Sequence, residues 1–268
     1  MAMMPYRTPW EYETKPFQIV EGVYYVGNMN VSSHLFDTGE GLLLLDTGYT
    51  ETAYLLFESI REMGFDPHDI RWIVHSHAHY DHFGATRYLV EKFGCKTYMP
   101  KKDMPFMTDS VMNGCAEAGL RYEPPYDCYF DVDVQMCDGD VYQFGNITMR
   151  VYDAPGHTPG TMAYFFEISS GLIVGMHGGI GFNTLTSAYA KEHGLGNTWR
   201  EAYGDTLQNL RAFRTDVVLG SHPSQNQTFA KQAAMTPDHN PFIDEDGWNK
   251  FLDWVQGKYE DVLKNDPL

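Results

Sequence analysis

Four histidines and one aspartate lie within eight consecutive residues of this chain, from His75 to His82. The segment has the sequence His-Ser-His-Ala-His-Tyr-Asp-His and follows the apolar pair Ile73-Val74, which is typical of the end of a buried strand. Neutral imidazole and carboxylate groups are the ligands that divalent zinc binds in proteins. Two side chains at positions i and i+2 of a turn can reach one ion, and the Asp-His pair beyond them can face a second. The segment therefore predicts a two-metal hydrolytic site.

Two further histidines also follow strand-like segments. His157 lies in the sequence Gly-His-Thr-Pro-Gly after the apolar segment Met149–Tyr152, and His222 follows Val217–Gly220. Loops at the ends of strands on a rigid sheet hold such ligands firmly, and the glycines beside His157 permit a tight turn. The sequence therefore predicts that His157 and His222 join the first cluster in one site.

Hydrophobic patterning predicts short strands mixed with amphipathic helices. There is no repeat and no linker, so we expect a single domain over residues 1–268. The predicted strands are Phe17–Val20, Val23–Val26, Gly41–Leu45, Ile70–Val74, Thr161–Ile168, Leu172–Val174 and Asp216–Leu219, with a hairpin over Val141–Val151. The predicted helices are Thr50–Met63, Gly84–Phe93, Ala202–Phe213 and Trp248–Leu263. We expect an irregular loop with a short helix over Lys101–Pro125 and a flap over the site from Asn183–Arg200.

Composition limits the partners. The 36 acidic and 19 basic residues give a net charge of −17. Non-specific nucleic-acid binding depends on Lys and Arg contacts to phosphate, so this balance argues against it. No segment reaches the roughly 20 apolar residues of a membrane span, and we expect no membrane partner. The first ten residues lack the pattern of a signal peptide, which slightly favours the cytoplasm over a trimmed exported form. We expect reduced thiols at Cys95, Cys115, Cys128 and Cys137, which are spaced too widely for a zinc knuckle.

The histidine-bearing segments together resemble the metallo-β-lactamase superfamily. The resemblance is carried by Ser76–His82, Ala154–Gly160 and Ser221–Pro223, together with Asp138–Asp140 and Asn240–Asp244. It covers nearly the whole chain and is closest to the third subclass of the class B, or zinc, β-lactamases. It implies an α+β fold of the αββα sandwich type, in which two mixed β-sheets pack face to face with helices outside.

The resemblance also implies a set of ligands for two Zn²⁺ ions per chain. His77, His79 and His157 would hold the first ion, and Asp81, His82 and His222 would hold the second. Three imidazoles leave a position for water, whose pKa a bound metal lowers towards about 7. Asp81 is the predicted catalytic residue, because it would bind one ion and orient the nucleophile. We expect a structural role for His75, and for Asp46 either a turn-forming role or a hydrogen bond to a ligand histidine.

The segment after Leu172–Gly175 departs from the pattern of the family. Relatives such as glyoxalase-type thioesterases and lactonases carry a metal-bridging aspartate where this chain has Met176, and a thioether cannot replace that carboxylate. Lactamases of the third subclass usually have serine there and again two positions on, where the hydroxyls bind the substrate carboxylate. In this chain Met176 stands at the first of these places, and His177 beside it can act as a hydrogen-bond donor; another alignment puts Gly179 and Gly181 at the two places. These four residues are the predicted substrate contacts.

Two enzymatic functions follow from this comparison, both with a small-molecule substrate. The first is a β-lactamase, with a role in antibiotic resistance, in which a metal-bound hydroxide attacks the lactam carbonyl. The second is a hydrolase of an ester, thioester or lactone with weak or no lactamase activity, which the missing serines favour. The full ligand set argues against a non-catalytic binding module. The acidic balance argues against a nucleic-acid phosphodiesterase.

Overall fold

The computed structural model describes residues 7–109, 114 and 128–267, and within them the strands form two sheets. The first sheet contains, in spatial order, β1 (Phe17–Val20), β2 (Val23–Tyr25), β3 (His34–Asp37), β4 (Leu42–Leu45), β5 (Ile70–Val74), β6 (Lys96–Pro100) and β7 (Val134–Met136). The second sheet is built from β8 (Val141–Phe144), β9 (Ile147–Asp153), β10 (Met162–Glu167), β11 (Ile173–His177) and β12 (Val217–Gly220), and its spatial order is β12-β11-β10-β9-β8.

Helices connect and cover the strands. The α-helices are α1 (Ala53–Glu62), α2 (Tyr80–Phe83), α3 (Thr86–Phe93), α4 (Met104–Met107), α5 (Ser187–Glu192), α6 (Asn197–Leu210), α7 (Thr228–Ala233) and α8 (Gly247–Asn265). Short 3-10 helices occur at Pro9–Tyr12, Thr50–Thr52, Pro67–Asp69, Lys101–Asp103 and Phe182–Leu185. Among the described residues, no helix combines the length and the apolar character that crossing a membrane requires.

Both sheets are mixed. In the first sheet β1 to β4 pair in antiparallel fashion, whereas β4, β5, β6 and β7 are parallel. In the second sheet β8 to β11 are antiparallel, and β12 runs parallel to β11. Since β9 and β11 both run antiparallel to β10, the carboxyl ends of β9, β11 and β12 lie at the same edge of their sheet. The loops that carry the histidines begin at this edge and at the matching edge of the first sheet.

The two sheets enclose an apolar core and are covered by helices on their outer faces. In β4, Leu43 and Leu45 lie between the sheets, while Leu42 and Leu44 belong to the outer cluster that includes α1 and α3. All four are buried, which explains why this segment lacks the polar alternation of a half-exposed strand. Phe165 on the outer face of the second sheet packs in a cluster with α6 and α8. The predicted αββα sandwich is therefore confirmed.

Most predicted elements are present, with shifted boundaries. The hairpin at Gly145, which has a φ of 52°, and the amphipathic helix near the carboxyl end are confirmed. Strands β3, β6 and β7 were not predicted: β3 begins with a buried histidine, β6 begins with lysine and ends with proline, and β7 has three residues. The one-domain organisation stays a prediction.

The two segments predicted near the site are both helical in part. The predicted flap, residues 183–200, is largely helical and includes α5 and the start of α6. The guanidinium of Arg200 donates hydrogen bonds to the carbonyls of Leu185 and Asp266, which ties this segment to the end of α8. In the predicted loop after β6, residues 101–107 form a 3-10 turn and α4, and most of the remainder lies outside the described residues.

Two of the cysteines that the structure describes are free thiols. Of these, Cys95 is buried and Cys137 is exposed. Cys128 is buried, and Cys115 lies outside the described residues. The expectation of reduced thiols is thus confirmed for Cys95 and Cys137 and stays a prediction for the other two.

Candidate metal centre

The ligand-type side chains meet at one end of the sandwich. The segment from His75 to His82, which includes the first three residues of α2, follows β5 in the first sheet; His157 follows β9 and His222 follows β12 in the second sheet. The carboxyl ends of neighbouring parallel strands lie at the same edge of a sheet, which brings distant parts of the chain together. Two clusters form there, each of three residues whose ligand atoms lie within 4.8 Å of one another.

The first cluster contains three histidines. The Nδ1 atom of His79 lies 3.0 Å from the Nε2 atom of His77 and 3.0 Å from the Nε2 atom of His157. The opposite nitrogens face oxygen acceptors: Nδ1 of His77 lies 2.9 Å from the carbonyl of Gly178, and Nδ1 of His157 lies 3.2 Å from the carbonyl of Gly181. These acceptors place the proton on Nδ1, so the Nε2 lone pairs point into the cluster.

Burial keeps these imidazoles neutral. It lowers the pKa of His77 and His157 well below the ordinary value for histidine, and the neighbouring imidazoles lower it further. Burial lowers the pKa of His79 to about 4, against a smaller opposing effect of Asp81. Neutral imidazole is the form that binds a metal ion.

The second cluster contains Asp81, His82 and His222. The Oδ2 atom of Asp81 lies 3.4 Å from Nε2 of His82 and 3.4 Å from Nε2 of His222. The outer nitrogen of His82 donates to Oδ2 of Asp46 at 2.8 Å, and that of His222 donates to the carbonyl of Asn30 at 2.7 Å. Both outer contacts again direct Nε2 towards the centre.

Charge is balanced within the second cluster. Burial by itself would raise the pKa of Asp81, but the imidazoles of His82 and His222 outweigh it and leave this pKa below its ordinary value. Burial by itself would lower the pKa of His82, but the carboxylates of Asp81 and Asp46 outweigh it and raise this pKa. This cluster therefore combines an ionised carboxylate with two imidazoles.

Both clusters have the chemistry of cation sites. In the first, the Nδ1 atom of His79 lies 3.0 Å from each of the other two nitrogens, an arrangement of lone pairs that is repulsive until a cation lies between them. In the second, Nε2 of His82 is buried and has no hydrogen-bond partner among the residues that the structure describes. Buried polar atoms are normally satisfied, so this atom marks a missing partner. The residues fit divalent metal ions at both positions.

Asp46 supports both the loop and a histidine of the second cluster. Its carboxylate accepts hydrogen bonds from the amide of Ser76 at 2.7 Å, the hydroxyl of Ser76 at 2.6 Å and Nδ1 of His82. Its φ of 60° lies in the left-handed region, which aspartate tolerates better than most residues. The predicted hydrogen bond to one of these histidines is confirmed.

His75 lies outside both clusters. Its Nδ1 donates to the carbonyl of Tyr98 at 2.8 Å, and its Nε2 accepts from the hydroxyl of Thr86 at 2.7 Å. Both ring nitrogens are thus used inside the fold, and burial lowers the pKa of His75 to about 4. The structural role expected for His75 is confirmed.

Of the four substrate contacts predicted at the end of β11 and just beyond it, Met176 and His177 need correction, and Gly179 and Gly181 stay predictions. Met176 is fully buried in the core between the sheets, and His177 is fully buried with its Nδ1 accepting the amide hydrogen of Gly179 at 3.3 Å. Neither side chain has a surface that a substrate could reach. A Cβ on Gly179 or Gly181 would lie 2.5 or 2.3 Å from ring atoms of His157. The two glycines therefore make room for this imidazole.

Sequence reasoning missed several groups around the centre. The acceptors at positions 30, 178 and 181 are backbone carbonyls, which every residue has, so the residue type at these positions does not predict them. It also missed Asp103, a buried carboxylate that contacts two of the loops. Its only signal was its place just after a strand, and that strand, β6, was not predicted.

A sequence model of the metallo-beta-lactamase superfamily matches residues 26–222, which include every residue of the two clusters. The chain belongs to this superfamily. The resemblance of the sequence to the metallo-β-lactamase superfamily is therefore confirmed.

Solved structures with the same architecture match this superfamily member over nearly its full length. A metallo-β-lactamase of Cronobacter sakazakii with a HARLDQ motif has 26% identity and a TM-score of 0.80, covering 96% of this chain and 97% of its own. GOB-18, a metallo-β-lactamase of Elizabethkingia meningoseptica, has 26% identity and a TM-score of 0.77, with coverages of 99% and 97%. BJP-1, a subclass B3 enzyme of Bradyrhizobium japonicum, shares the fold at 22% identity, with a TM-score of 0.81 and 98% coverage of both chains.

The curated proteins that are similar in sequence are not named as β-lactamases. An uncharacterised Aquifex aeolicus protein is 34% identical over 38% of this chain and 46% of its own length. The probable metallo-hydrolase YqgX of Bacillus subtilis is 24% identical over 81% of this chain and 94% of its own. The N-acyl homoserine lactonase AttM of Agrobacterium fabrum is 24% identical over 72% and 65%. The match thus spans about half of the first relative and under two thirds of AttM.

Proposed function

We propose that this protein is a two-metal hydrolase that opens the amide bond of a β-lactam. The observation that carries the proposal is the pair of facing clusters, in which His77, His79 and His157 form one cation site and Asp81, His82 and His222 form the other. Structures of β-lactamases that match nearly the whole chain support the choice of substrate. Zinc is the proposed metal, because imidazole and carboxylate ligands suit it.

The chain's own residues would hold the ions and handle a proton. When bound, two divalent cations supply Lewis acidity towards a carbonyl oxygen and lower the pKa of nearby water. The carboxylate of Asp81 is ionised and lies between two imidazoles, so it can accept a hydrogen bond from the attacking water and orient it. The backbone carbonyls and Asp46, bound to the outer nitrogens of His77, His157, His222 and His82, keep these four imidazoles in one tautomer while charge moves.

The solvent-exposed side chains of the two clusters determine the side from which a substrate can approach. The side chains of Asp81 and His222 are 20% and 28% exposed, whereas His77 and His82 are almost completely buried. A small molecule would therefore reach the centre from the side of Asp81 and His222. At the end of β11, where some relatives carry a metal-bridging aspartate, this chain has Met176. The side chain of Met176 packs in the core between the sheets.

Nitrocefin hydrolysis by zinc-loaded protein tests this proposal. We expect turnover that a chelator abolishes and that added zinc restores. Metal content measured on the same sample separates an inactive enzyme from an empty one. Folded protein that holds two zinc ions and cleaves no β-lactam would contradict the lactamase proposal.

A second candidate is the hydrolysis of an ester, thioester or lactone on the same centre. The absence of a serine at positions 176, 177, 179 and 181 favours this candidate. So do the names of two relatives, the lactonase AttM and a hydroxyacylglutathione hydrolase of Rhodospirillum rubrum, which is 30% identical over 60% of this chain. A panel of lactams, lactones and thioesters compared by kcat/KM decides between the two. A kcat/KM for an ester or thioester above that for every lactam would favour the second candidate.

A further inference from the structure

Asp103 ends the 3-10 turn after β6 and is fully buried, although aspartate is rarely fully buried. Its two carboxylate oxygens accept three hydrogen bonds. Oδ2 accepts from the amide of Ala78 at 2.8 Å and from the hydroxyl of Thr158 at 2.7 Å, while Oδ1 accepts from the amide of Gly160 at 2.6 Å. The carboxylate therefore has an extensive set of donors in a dry environment.

These donors belong to the two loops that form the first cluster. Ala78 lies between His77 and His79, and Thr158 directly follows His157. One carboxylate thus joins a loop of the first sheet to a loop of the second at the point where their histidines meet. Its contacts differ from those of Asp46, which supports His82 in the second cluster.

The surrounding backbone is shaped around this carboxylate. A Cβ on Gly160 would lie 2.5 Å from the amide nitrogen of Asp103 and 2.7 Å from its Oδ1, so only glycine permits this approach. The hydroxyl of Thr161 continues the network, because it lies 2.8 Å from that of Thr158 and accepts the Thr158 amide hydrogen at 3.0 Å. Both loops are thereby fixed relative to each other.

Burying the carboxylate of Asp103 costs more free energy than a purely structural contact would justify. No salt bridge to Asp103 occurs in the described part of the chain, and the nearby Lys102 pairs with Asp153 instead. Burial raises the pKa of Asp103 to about 6 against the effect of its three donors. A buried carboxylate without a cationic partner costs free energy, so its retention calls for a compensating role.

We propose that Asp103 is a positioning residue that sets the metal affinity of the His77, His79 and His157 cluster by fixing the two loops at their observed separation. The inference rests on the proposed metal binding and assigns a specific effect to one cluster. The cluster of Asp81, His82 and His222 does not depend on Asp103.

Single-site backgrounds test this assignment. His222→Ala impairs the second cluster and His157→Ala impairs the first, so each leaves one intact cluster for zinc titration against a chelating dye. Asp103→Asn is then added to each. In either orientation, the amide nitrogen of the new side chain leaves the backbone N–H of Ala78 or Gly160 without an acceptor. We expect the zinc Kd to rise at least about 10-fold in the His222→Ala background and to change less than about 2-fold in the His157→Ala background.

Cobalt(II) and a matched control sharpen the test. In the His222→Ala background, Asp103→Asn should change the ligand-field spectrum of bound cobalt, which reports the geometry of the three nitrogens. Asp133 is the control, because its Oδ2 accepts the amide and hydroxyl hydrogens of Thr97 at 2.8 and 3.0 Å away from the centre. Asp133→Asn should leave both the affinity and the spectrum unchanged.

Thr158→Val provides a milder variant if Asp103→Asn does not fold, because it removes one of the three hydrogen bonds and keeps the carboxylate. We expect it to weaken zinc binding selectively in the His222→Ala background. Equal weakening in both backgrounds, or no weakening in either, would overturn the inference. Wild-type protein that binds two ions but cleaves no lactam would end the lactamase proposal and leave this inference standing, whereas wild-type protein that binds no metal would end both.

Discussion

Four of the six residues at the centre are each held by an outer group that binds the ring nitrogen facing away from the cluster. His222 faces Asp81 through one ring nitrogen and holds the carbonyl of Asn30 through the other. The ligand-type residues could be predicted from the sequence because four of the six lie within six positions, 77 to 82, where spacing alone brings them together. Their outer partners could not, since backbone carbonyls belong to every residue and only the folded chain selects which ones face a histidine.

Asp81→Asn tests the role of this carboxylate. The amide keeps the shape but loses the negative charge that orients water, so kcat on the best substrate should fall by about 10² to 10⁴-fold with KM changed little. Steady-state kinetics at saturating zinc measure both constants. An unchanged kcat would remove Asp81 from the reaction.

Gly181→Ala tests the space beside His157. The new Cβ would lie 2.3 Å from Cε1 of His157, so the imidazole must shift and zinc affinity in the first cluster should fall about 10 to 100-fold. Gly257→Ala is the matched control, because a Cβ there meets nothing within 4 Å. Zinc titration of both variants gives the comparison, and equal affinities would contradict the geometry.

Whether a helix or strand could be predicted from the sequence depended on how much of it is buried. The strand β4 was predicted because all four of its residues are apolar and buried, and β5 because Ile70, Ile73 and Val74 are apolar and buried. The edge strand β7 has three residues, one of them buried, and gives almost no hydrophobic pattern. Helix α8 was predicted closely because one face, with Phe251, Leu252 and Val255, packs on the second sheet while the other remains polar.

Helix α8 offers a matched pair of leucines. Leu252 is fully buried and Leu263 is 39% exposed in the same helix. Leu252→Ala should lower the free energy of unfolding by about 2 to 5 kcal/mol through lost burial and a cavity. Leu263→Ala should lower it by less than about 1 kcal/mol. Urea unfolding measures both, and similar losses would show that α8 does not pack as described.

The whole molecule carries buried imidazoles outside the two clusters that make its stability depend on pH. Burial lowers the pKa of His34 and of His177 to about 4. The unfolded chain binds protons on these groups below about pH 6.5 and the folded protein does not, so stability falls as the pH drops from about 6.5 to about 4. Each group contributes up to about 1.4 kcal/mol per pH unit in that window.

His34→Leu isolates one of these contributions. Urea unfolding of metal-free protein at pH 7 and pH 5 should show a smaller loss of stability for this variant than for the wild type. His239→Asn, at an exposed position, should behave as the wild type does. A pH dependence unaffected by His34→Leu would contradict the assignment.

Each cluster takes members from both layers of the sandwich: two from the loop after β5, and one from a loop of the opposite sheet. Bound ions would therefore act as cross-links between the two halves of the protein. A slight slide of one sheet over the other would dismantle both sites together. Metal occupancy therefore depends on the relative position of the two sheets. Core substitutions far from the centre should release the ions before the chain unfolds.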